Sequence, residues 1–392
     1  MNIQELCLWM GQVEASDLHL KDGRPPLVRI HGEIKPFDLP NLSGSYIESL
    51  LTPIMSNRLL KQFAETFEAD FSYSLPDEAR FRINMFRQRG VVGAVFRRIP
   101  LKVPTSEELG LSETINRLAD QENGLVLVTG PTGSGKSTTL AAMLERINRT
   151  RPVHIMTIED PIEFVYEDKV AIINQRELGI DTVSLDAALK SVLRQDPDII
   201  LMGEIRDRQT VGFALTAAET GHLVFATLHT NNAVQTLERI LDMTPSEVRE
   251  AVRTQLSLLL RGVVCQRLVA KAGGGRLAAQ EILVGNETIQ QLVAENKFWD
   301  IEKAIEAGNY YGMQTFNQAF AALVEKGLVT REIAIANSGK PVELELLFKG
   351  VRGGSGYDGG IAPQQAEKDG SQLKNAISFG DEPETEKGHT MF

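Results

Sequence analysis

The segment from Gly124 to Asn148 constrains the fold of this chain more than any other. An apolar run, Leu125 to Thr129, leads into the glycine-rich sequence GPTGSGKS at Gly130 to Ser137, and Thr138 to Asn148 then has the composition of a helix. A strand that passes through a glycine-rich turn into a helix is typical of a parallel α/β sheet. The sequence therefore predicts such a sheet.

The same turn predicts a chemistry. Glycines let several backbone N–H groups converge on phosphate oxygens, and the helix N-terminus adds partial positive charge. Lys136 is expected to reach the β- and γ-phosphates of ATP, and Ser137 to hold Mg²⁺ together with phosphates and waters. The nucleotide-binding candidates of the loop are Gly130, Pro131, Thr132, Gly133, Ser134, Gly135, Lys136, Ser137 and Thr138.

A second apolar run, Ile199 to Met202, is followed by Glu204. A neighbouring strand of a sheet with a phosphate-binding loop should deliver an acid beside the phosphates. Glu204 is thus predicted to polarise the attacking water. Because position 203 is glycine and not aspartate, we expect few direct carboxylate ligands for Mg²⁺.

A third run, Ile155 to Ile158, precedes the carboxylates Glu159, Asp160 and Glu163. Clustered carboxylates repel one another unless a cation or a hydrogen-bond donor compensates. This favours a Mg²⁺- or water-orienting role, with Glu163 as a catalytic and Glu159 as a nucleotide-site candidate. The alternative is a solvated loop.

A fourth run, Leu223 to Leu228, has a histidine at each end, His222 and His229. Seven positions along an extended strand, at about 3.3 Å each, separate them too far to bind one ion. His229 is a candidate γ-phosphate sensor, and His222 is included among the nucleotide-binding candidates. A packed or capped histidine is the alternative.

The chain divides by pattern. Residues 1–98 alternate short strand-like and helical runs, which predicts a small α+β domain. Residues 99–122 are predicted to form a linker, because they contain Pro100, Pro104 and a short helix near Glu107 to Leu118. Residues 123–349 are predicted to carry the parallel sheet. The glycine-rich, aromatic-poor stretch 350–392 is expected to be disordered. The strand-like runs of the first part are Asp17 to Leu20, Leu27 to Ile34, Glu68 to Tyr73, Arg80 to Phe86 and Val91 to Arg97.

Composition argues against some functions. A net charge of −11 argues against a nucleic-acid partner. The two cysteines, Cys7 and Cys265, lie far apart, so neither a disulfide framework nor a cysteine zinc site is expected. We find no signal-peptide pattern and no apolar run of about 20 residues. The expectation is a cytoplasmic protein without direct membrane insertion.

Four segments in order, GPTGSGKST, TIEDPIEF, DPDIILMGEIRD and AETGHLVFATLHT, resemble the Walker A, Asp box, Walker B and His box of secretion-type ATPases. Three more, ASDLHL, ARFR and GMQTF, resemble the retraction ATPases of type IV pili, the PilT/PilU family of twitching motility. The resemblance covers roughly residues 1–335. It implies a PAS-like N-terminal domain joined to a RecA-like ATPase domain.

For function, the resemblance implies a ring homohexamer that hydrolyses ATP to power pilus retraction. Arg82 and Arg97 match positions from which the family supplies arginines to the γ-phosphate. The implied partners are an inner-membrane platform protein of the pilus and a paralogous retraction ATPase. The location is the cytoplasm, peripheral at the inner-membrane pilus base.

One stretch departs from the family. Retraction ATPases often carry an AIRNLIRE-like helix, whereas Glu287 to Glu295 reads ETIQQLVAE and lacks the basic positions. This favours an accessory, PilU-like ATPase that depends on another motor. Three further hypotheses compete with retraction: a pilus-assembly or type II secretion ATPase, a regulatory scaffold that binds ATP, and a nucleic-acid motor.

Overall fold

The computed structural model describes residues 2–30, 32–75, 79–100 and 102–350. The expectation of disorder for residues 350–392 falls, except for Gly350, outside these ranges. Within them, no helix is both long and apolar enough to cross a membrane. Two β-sheets, one before and one after residue 101, organise the described residues.

The first sheet is antiparallel, and three helices cover one of its faces. Its strands are β1 (Asp17–Leu20), β2 (Leu27–Ile30), β3 (Glu33–Pro36), β4 (Glu68–Leu75), β5 (Ala79–Gln88) and β6 (Val91–Pro100), and its helices are α1 (Ile3–Gln12), α2 (Gly44–Leu51) and α3 (Asn57–Thr66). The strand order is β3-β2-β1-β6-β5-β4. A 3₁₀ turn, Thr52–Ile54, connects α2 to the segment before α3.

The hairpin β5–β6 shows why this sheet has two unlike faces. Along β5, Phe81, Ile83 and Met85 are buried against the helices, while the alternate residues, Arg80 and Arg82 among them, are partly exposed. Side chains of a strand point alternately to the two faces, so one face is apolar and the other carries the arginines. Both strands coincide with runs that the sequence predicted to be strand-like, Arg80 to Phe86 and Val91 to Arg97.

The second sheet is parallel except for its last strand. Its strands are β7 (Gly124–Thr129), β8 (His154–Glu159), β9 (Ile172–Glu177), β10 (Ile199–Met202), β11 (Leu223–Leu228), β12 (Leu260–Ala270) and β13 (Arg276–Val284). The order is β13-β12-β7-β11-β10-β8-β9, with β13 antiparallel to β12. Its helices are α4 (Ser106–Leu109), α5 (Glu113–Ala119), α6 (Lys136–Thr150), α7 (Leu185–Val192), α8 (Arg208–Glu219), α9 (Ala233–Asp242), α10 (Arg249–Leu259), α11 (Glu287–Ala294), α12 (Phe298–Ala307), α13 (Phe316–Glu325), α14 (Arg331–Asn337) and α15 (Pro341–Phe348), with a 3₁₀ turn at Gly308–Tyr311.

Both faces of this sheet are buried. In β7, Leu125 and Leu127 belong to the core on one face, and Val126 and Val128 to the core on the other. A strand covered on both sides needs a continuous apolar run, which explains why β7, β8, β10 and β11 were predictable. The mixed α/β fold class is confirmed.

The structure differs from the sequence-based expectation at several elements. The helix expected from Glu107 to Leu118 is two helices, α4 and α5, because Gly110 adopts a left-handed conformation (φ 64°) between them. The run Leu27 to Ile34 is two strands, β2 and β3, which pair with each other. Strands β9, β12 and β13 were not predicted, since polar residues interrupt their apolar pattern.

Candidate active site

The glycine-rich loop joins β7 to α6 and is shaped by backbone conformations that favour glycine. Gly130, Gly133 and Gly135 have φ values of 145°, 78° and 90°. A Cβ atom at Gly130 would lie 2.6 Å from the hydroxyl of Ser134 and closer still to the carbonyl of Gln266. Only glycine fits there, because the backbone of the loop packs directly against β12 and against Ser134 of the same loop.

Lys136 is the first residue of α6, and its ammonium group turns back over the loop. Its Nζ donates to the carbonyls of Gly130 (2.8 Å) and Pro131 (3.1 Å). Burial lowers the pKa of Lys136, and the carboxylates of Glu204 and Glu163 act in the opposite direction. The buried hydroxyl of Ser134 finds no hydrogen-bond partner among the described residues. Lys136 therefore borders a space that suits an anion.

That space is a cleft of about 620 Å³ at the carboxyl ends of β8, β10 and β11. Parallel strands end at one edge of a sheet, so side chains far apart in sequence meet there. The predicted site residues that line the cleft are Thr132, Gly133, Gly135, Lys136, Ser137, Thr138, Glu159, Glu163, Glu204, His229 and Arg97. Gly130, Pro131 and Ser134 belong to the loop without lining the cleft.

Glu204 lies just beyond β10 and faces His229, which lies just beyond β11. Their side chains approach to 3.5 Å, from Oε1 to Nε2, and the other oxygen of Glu204 accepts from Nε of Arg206 at 2.7 Å. The next turn is fixed by Asp207, which caps α8 by accepting from the backbone N–H of Thr210 at 2.9 Å. The carboxylate is thus oriented from both sides.

The two predicted carboxylates after β8 have different surroundings. Glu159 accepts from the hydroxyl of Thr157 (2.7 Å) and the amide of Gln175 (3.1 Å). Burial raises the pKa of Glu159, although these two donors lower it. Glu163 is exposed and borders the cleft. Glu159 is therefore held by fixed donors, while Glu163 faces the space where a ligand would lie.

The two predicted arginines are cross-strand neighbours in β5 and β6, yet the structure separates their surroundings. Arg97 lines the cleft, and its Nε donates to buried Asp17 at 3.0 Å. Arg82 does not line the cleft; its guanidinium lies 3.8 Å from Asp70. One arginine of the N-terminal sheet therefore lines the nucleotide cleft within one chain.

The structure does not bring His222 to the nucleotide cleft. This residue precedes β11, whereas the cleft lies beyond the other end of that strand, about 20 Å away for six residues. Its Nδ1 contacts the carbonyl of Ala217 at 2.9 Å and the hydroxyl of Thr220 at 3.1 Å. His222 closes the turn that precedes the strand and does not reach the nucleotide loop.

Sequence reasoning missed several residues that line the cleft. Arg206 could have been found, because it follows Glu204 by two positions. Leu268 and Arg276 could not, since they come from β12 and β13, which the sequence did not predict. Leu268 packs over Gly135 of the loop, so the β12–β13 hairpin forms one wall of the cleft.

A glycine-rich loop before a helix, a buried lysine and a carboxylate at the end of a nearby parallel strand define a P-loop nucleotide-hydrolysing site. Comparison with known proteins agrees with this class. The family model described as "Type II/IV secretion system protein" matches residues 95–335.

Two relatives come from Pseudomonas aeruginosa. The type IV pilus retractation ATPase PilT is 51% identical over 334 residues, covering 85% of this chain and 97% of the relative. The type IV pilus ATPase PilU is 39% identical over 350 residues, covering 89% and 92%. A crystal structure of the pilus retraction motor PilT with bound ADP superposes with a TM-score of 0.83 at 46% identity, covering 88% of this chain and 99% of that one. This chain therefore belongs to the type II/IV secretion system protein family and, within it, to the type IV pilus retraction ATPases.

Proposed function

We propose that this protein is a hexameric motor that hydrolyses ATP to power type IV pilus retraction, and hence twitching motility. The observation that carries the proposal is the cleft in which the phosphate-binding loop, Glu204 and Arg97 meet. The 51% identity to a pilus retractation ATPase over nearly its whole length gives the cleft its context.

In the proposed reaction, Lys136 leaves its carbonyl partners in the loop and binds the β- and γ-phosphates of ATP. Glu204 accepts a proton from the attacking water, with His229 beside it as a γ-phosphate sensor. Because Arg206 also binds Glu204, it sets how much negative charge the carboxylate presents to that water.

A magnesium ion fits this site through Ser137. The described residues contain no group of three or more His, Cys, Asp or Glu side chains arranged to hold a metal, so a carboxylate cage is not the expected mode of binding. When bound with ATP, Mg²⁺ neutralises charge on the phosphates. Glu159 and Glu163 at the edge of the cleft would orient its waters.

The arginines of the N-terminal sheet complete the proposal. Arg97 would stabilise the charge that develops on the γ-phosphate within its own chain, and Arg82 would do so after the sheet moves or in a neighbouring subunit of a ring. Movement of the N-terminal part (1–98) against the ATPase part (123–349) on binding and release would be the power stroke. The proposed partners are an inner-membrane pilus platform protein and a paralogous retraction ATPase, at the cytoplasmic face of the inner membrane.

An accessory role is a second candidate, favoured by the surface of α11. Ile289 and Val293 pack into the core, and the exposed positions of α11 itself, Glu287 and Gln291 among them, include no basic residue. A helix without basic residues at these positions suits a motor that does not engage the pilus machinery alone.

Complementation of a bacterial strain that lacks retraction tests the proposal. We expect this protein to restore twitching and Glu204→Gln to leave the strain non-motile at equal expression. Restoration only when a second retraction ATPase is present would favour the accessory role. More surface pili without any retraction would favour an assembly ATPase and contradict the proposal.

A further inference from the structure

Glu177 is a buried carboxylate that does not line the nucleotide cleft. It is the last residue of β9, and its side chain is 6% exposed. Two of its partners lie on the N-terminal sheet: Nη2 of Arg80 at 2.6 Å and the hydroxyl of Ser72 at 3.2 Å. A third partner is the backbone N–H of Ile162, at 3.3 Å. Glu177 thus joins both sheets at one carboxylate.

The contact of Glu177 with Arg80 of the N-terminal sheet is a largely buried ion pair. The side chain of Arg80 is only 17% exposed, so both charges of the pair are largely removed from water. Removing one partner of such a pair leaves an uncompensated buried charge, which costs far more than losing a surface pair. Beside it, the guanidinium of Arg58 on α3 donates to the carbonyl of Gly179, just beyond β9. Both arginines therefore hold the same end of β9.

The hydrogen bond from Ile162 connects Glu177 to a segment that borders the cleft. Ile162 lies in the segment Asp160–Glu163, whose residues Asp160, Pro161 and Glu163 border the nucleotide space. The base of this segment is tied to β9 as well, because Leu178 N–H donates to the carbonyl of Glu159 at 2.9 Å. The position of the carboxylate segment thus depends on Glu177, and Glu177 depends on Arg80 for its counter-charge.

We propose that Glu177 is a positioning residue that couples the N-terminal sheet to the carboxylate segment of the nucleotide cleft, with Arg80 as its partner. This inference rests on the proposed ATP hydrolysis. When the N-terminal sheet withdraws Arg80, Glu177 is left as an uncompensated buried charge, and its side chain turns toward water and away from the N–H of Ile162. Turnover then responds to the position of the N-terminal sheet, while the loop that binds the phosphates is unchanged.

Steady-state kinetics of the full-length protein test the proposal. We expect Arg80→Ala to lower kcat about tenfold and to change KM and the affinity for fluorescently labelled ADP less than about twofold. Arg87→Ala is the matched control, since it removes an ion pair with Glu48 from the same strand without touching the second sheet. Arg80→Lys, which keeps the charge, should recover part of kcat.

The double variant separates coupling from simple loss of folding. Glu177→Gln keeps the acceptor for Ile162 but removes the charge, so Arg80→Ala combined with Glu177→Gln should turn over no slower than Arg80→Ala alone. The proposal would be overturned if the double variant lost kcat by the product of the two single losses, or if Arg87→Ala lowered kcat as much as Arg80→Ala. It would also be overturned if Arg80→Ala lowered only the melting temperature and left kcat per assembled protein unchanged.

Hydrogen exchange gives a readout that does not need turnover. The peptide that contains Ile162 should exchange faster in Arg80→Ala than in wild type or Arg87→Ala, because its backbone N–H is held by Glu177. If the wild-type protein bound nucleotide but did not hydrolyse it, the proposed function would fail, while this exchange measurement would still decide the coupling. An unchanged exchange rate of the Ile162 peptide in Arg80→Ala would contradict the coupling.

Discussion

The two sheets of this protein use charged residues in opposite ways. The parallel sheet is apolar on both faces and presents its charged groups at the strand ends, where Lys136, Glu204 and His229 surround a cleft. The antiparallel sheet is apolar on one face only and carries arginines across the other, each beside a carboxylate. One sheet supplies the reacting groups, and the other supplies positive charge that can be moved toward them or away.

The carboxylate partners of the arginines show how that charge is controlled. Asp17 holds Arg97 at the cleft, Asp70 lies near Arg82 at the surface, and Glu177 of the other sheet holds Arg80. Two of these carboxylates are buried and one is exposed. A buried partner fixes an arginine, whereas an exposed and distant one leaves it free to move.

The largest loss of ATP turnover is expected from a change in the glycine-rich loop of the parallel sheet. Lys136→Ala should lower ATP turnover about 10³-fold or more, because the buried ammonium supplies the main positive charge of the loop. Radiometric or coupled-enzyme assays at saturating ATP measure it. Turnover within tenfold of wild type would show that another cation binds the phosphates.

Arg97 of the antiparallel sheet should contribute less to ATP turnover than Lys136, and it should contribute little to nucleotide binding. Arg97→Ala is expected to lower kcat about 10²-fold with little change in ADP affinity, because the guanidinium acts on charge that develops during phosphoryl transfer. Arg97→Lys should not restore the rate fully, since lysine lacks the planar fork that binds both Asp17 and a phosphate. Equal losses of kcat and ADP binding would instead place Arg97 in ground-state binding.

The parallel sheet also contains a buried acid whose ionisation affects stability. Glu281 on β13 accepts the backbone N–H of Ala233 at 2.8 Å, at the start of α9, and burial raises its pKa to about 7. Between pH 4.5, its ordinary pKa, and pH 7 the folded protein keeps a proton that the unfolded chain has lost. Stability therefore falls as pH rises through this window, by up to about 3 kcal/mol.

Glu281→Gln removes that pH dependence. We expect the variant to melt about 2–4 °C higher than wild type at pH 8 for each kcal/mol recovered, and at a similar temperature at pH 5. Differential scanning fluorimetry at both pH values measures this. Glu302 raises and Arg267 lowers the pKa of Glu281, but burial has the larger effect. A difference in melting temperature between variant and wild type that stays constant with pH would assign the effect to packing.

The smallest expected effect concerns the stability contributed by Arg82. Its pair with Asp70 is half exposed and 3.8 Å long, so Arg82→Ala should change the free energy of unfolding by less than about 1 kcal/mol. Thermal melting of the variant checks this. A large loss of stability would mean that Arg82 is a structural residue, and would break the contrast between fixed and free arginines.

The sequence predicted the strands that are apolar on both faces and the residues at their carboxyl ends. It failed where burial is polar: β12 and β13 carry the buried side chains of Gln266, Gln280 and Glu281, which a hydropathy pattern reads as exposed. Neighbouring elements supply some of their hydrogen bonds: Thr139 accepts from Nε2 of Gln266, and the N–H of Ala233 donates to Glu281. That pairing exists only after folding.

The candidate site shows the same limit. The positions of Glu204 and His229 were predictable because parallel strands end at one edge, whereas His222 was included among the nucleotide-binding candidates although it lies at the opposite end of its strand. The position of Arg97 beside the cleft came from resemblance and not from pattern. The link from Arg80 to Glu177 could not be read at all, since it joins two sheets that are separate in sequence.

The central claim is that Glu204 drives ATP turnover in an assembled motor. Steady-state ATP hydrolysis of the full-length protein across a concentration series, with light scattering on the same samples, tests it most directly. Glu204→Gln is compared with Glu238→Gln, an exposed carboxylate on α9. The account predicts turnover that rises with assembly, collapses in Glu204→Gln by about 10²-fold or more and survives in Glu238→Gln. Turnover by Glu204→Gln at the wild-type rate would contradict it.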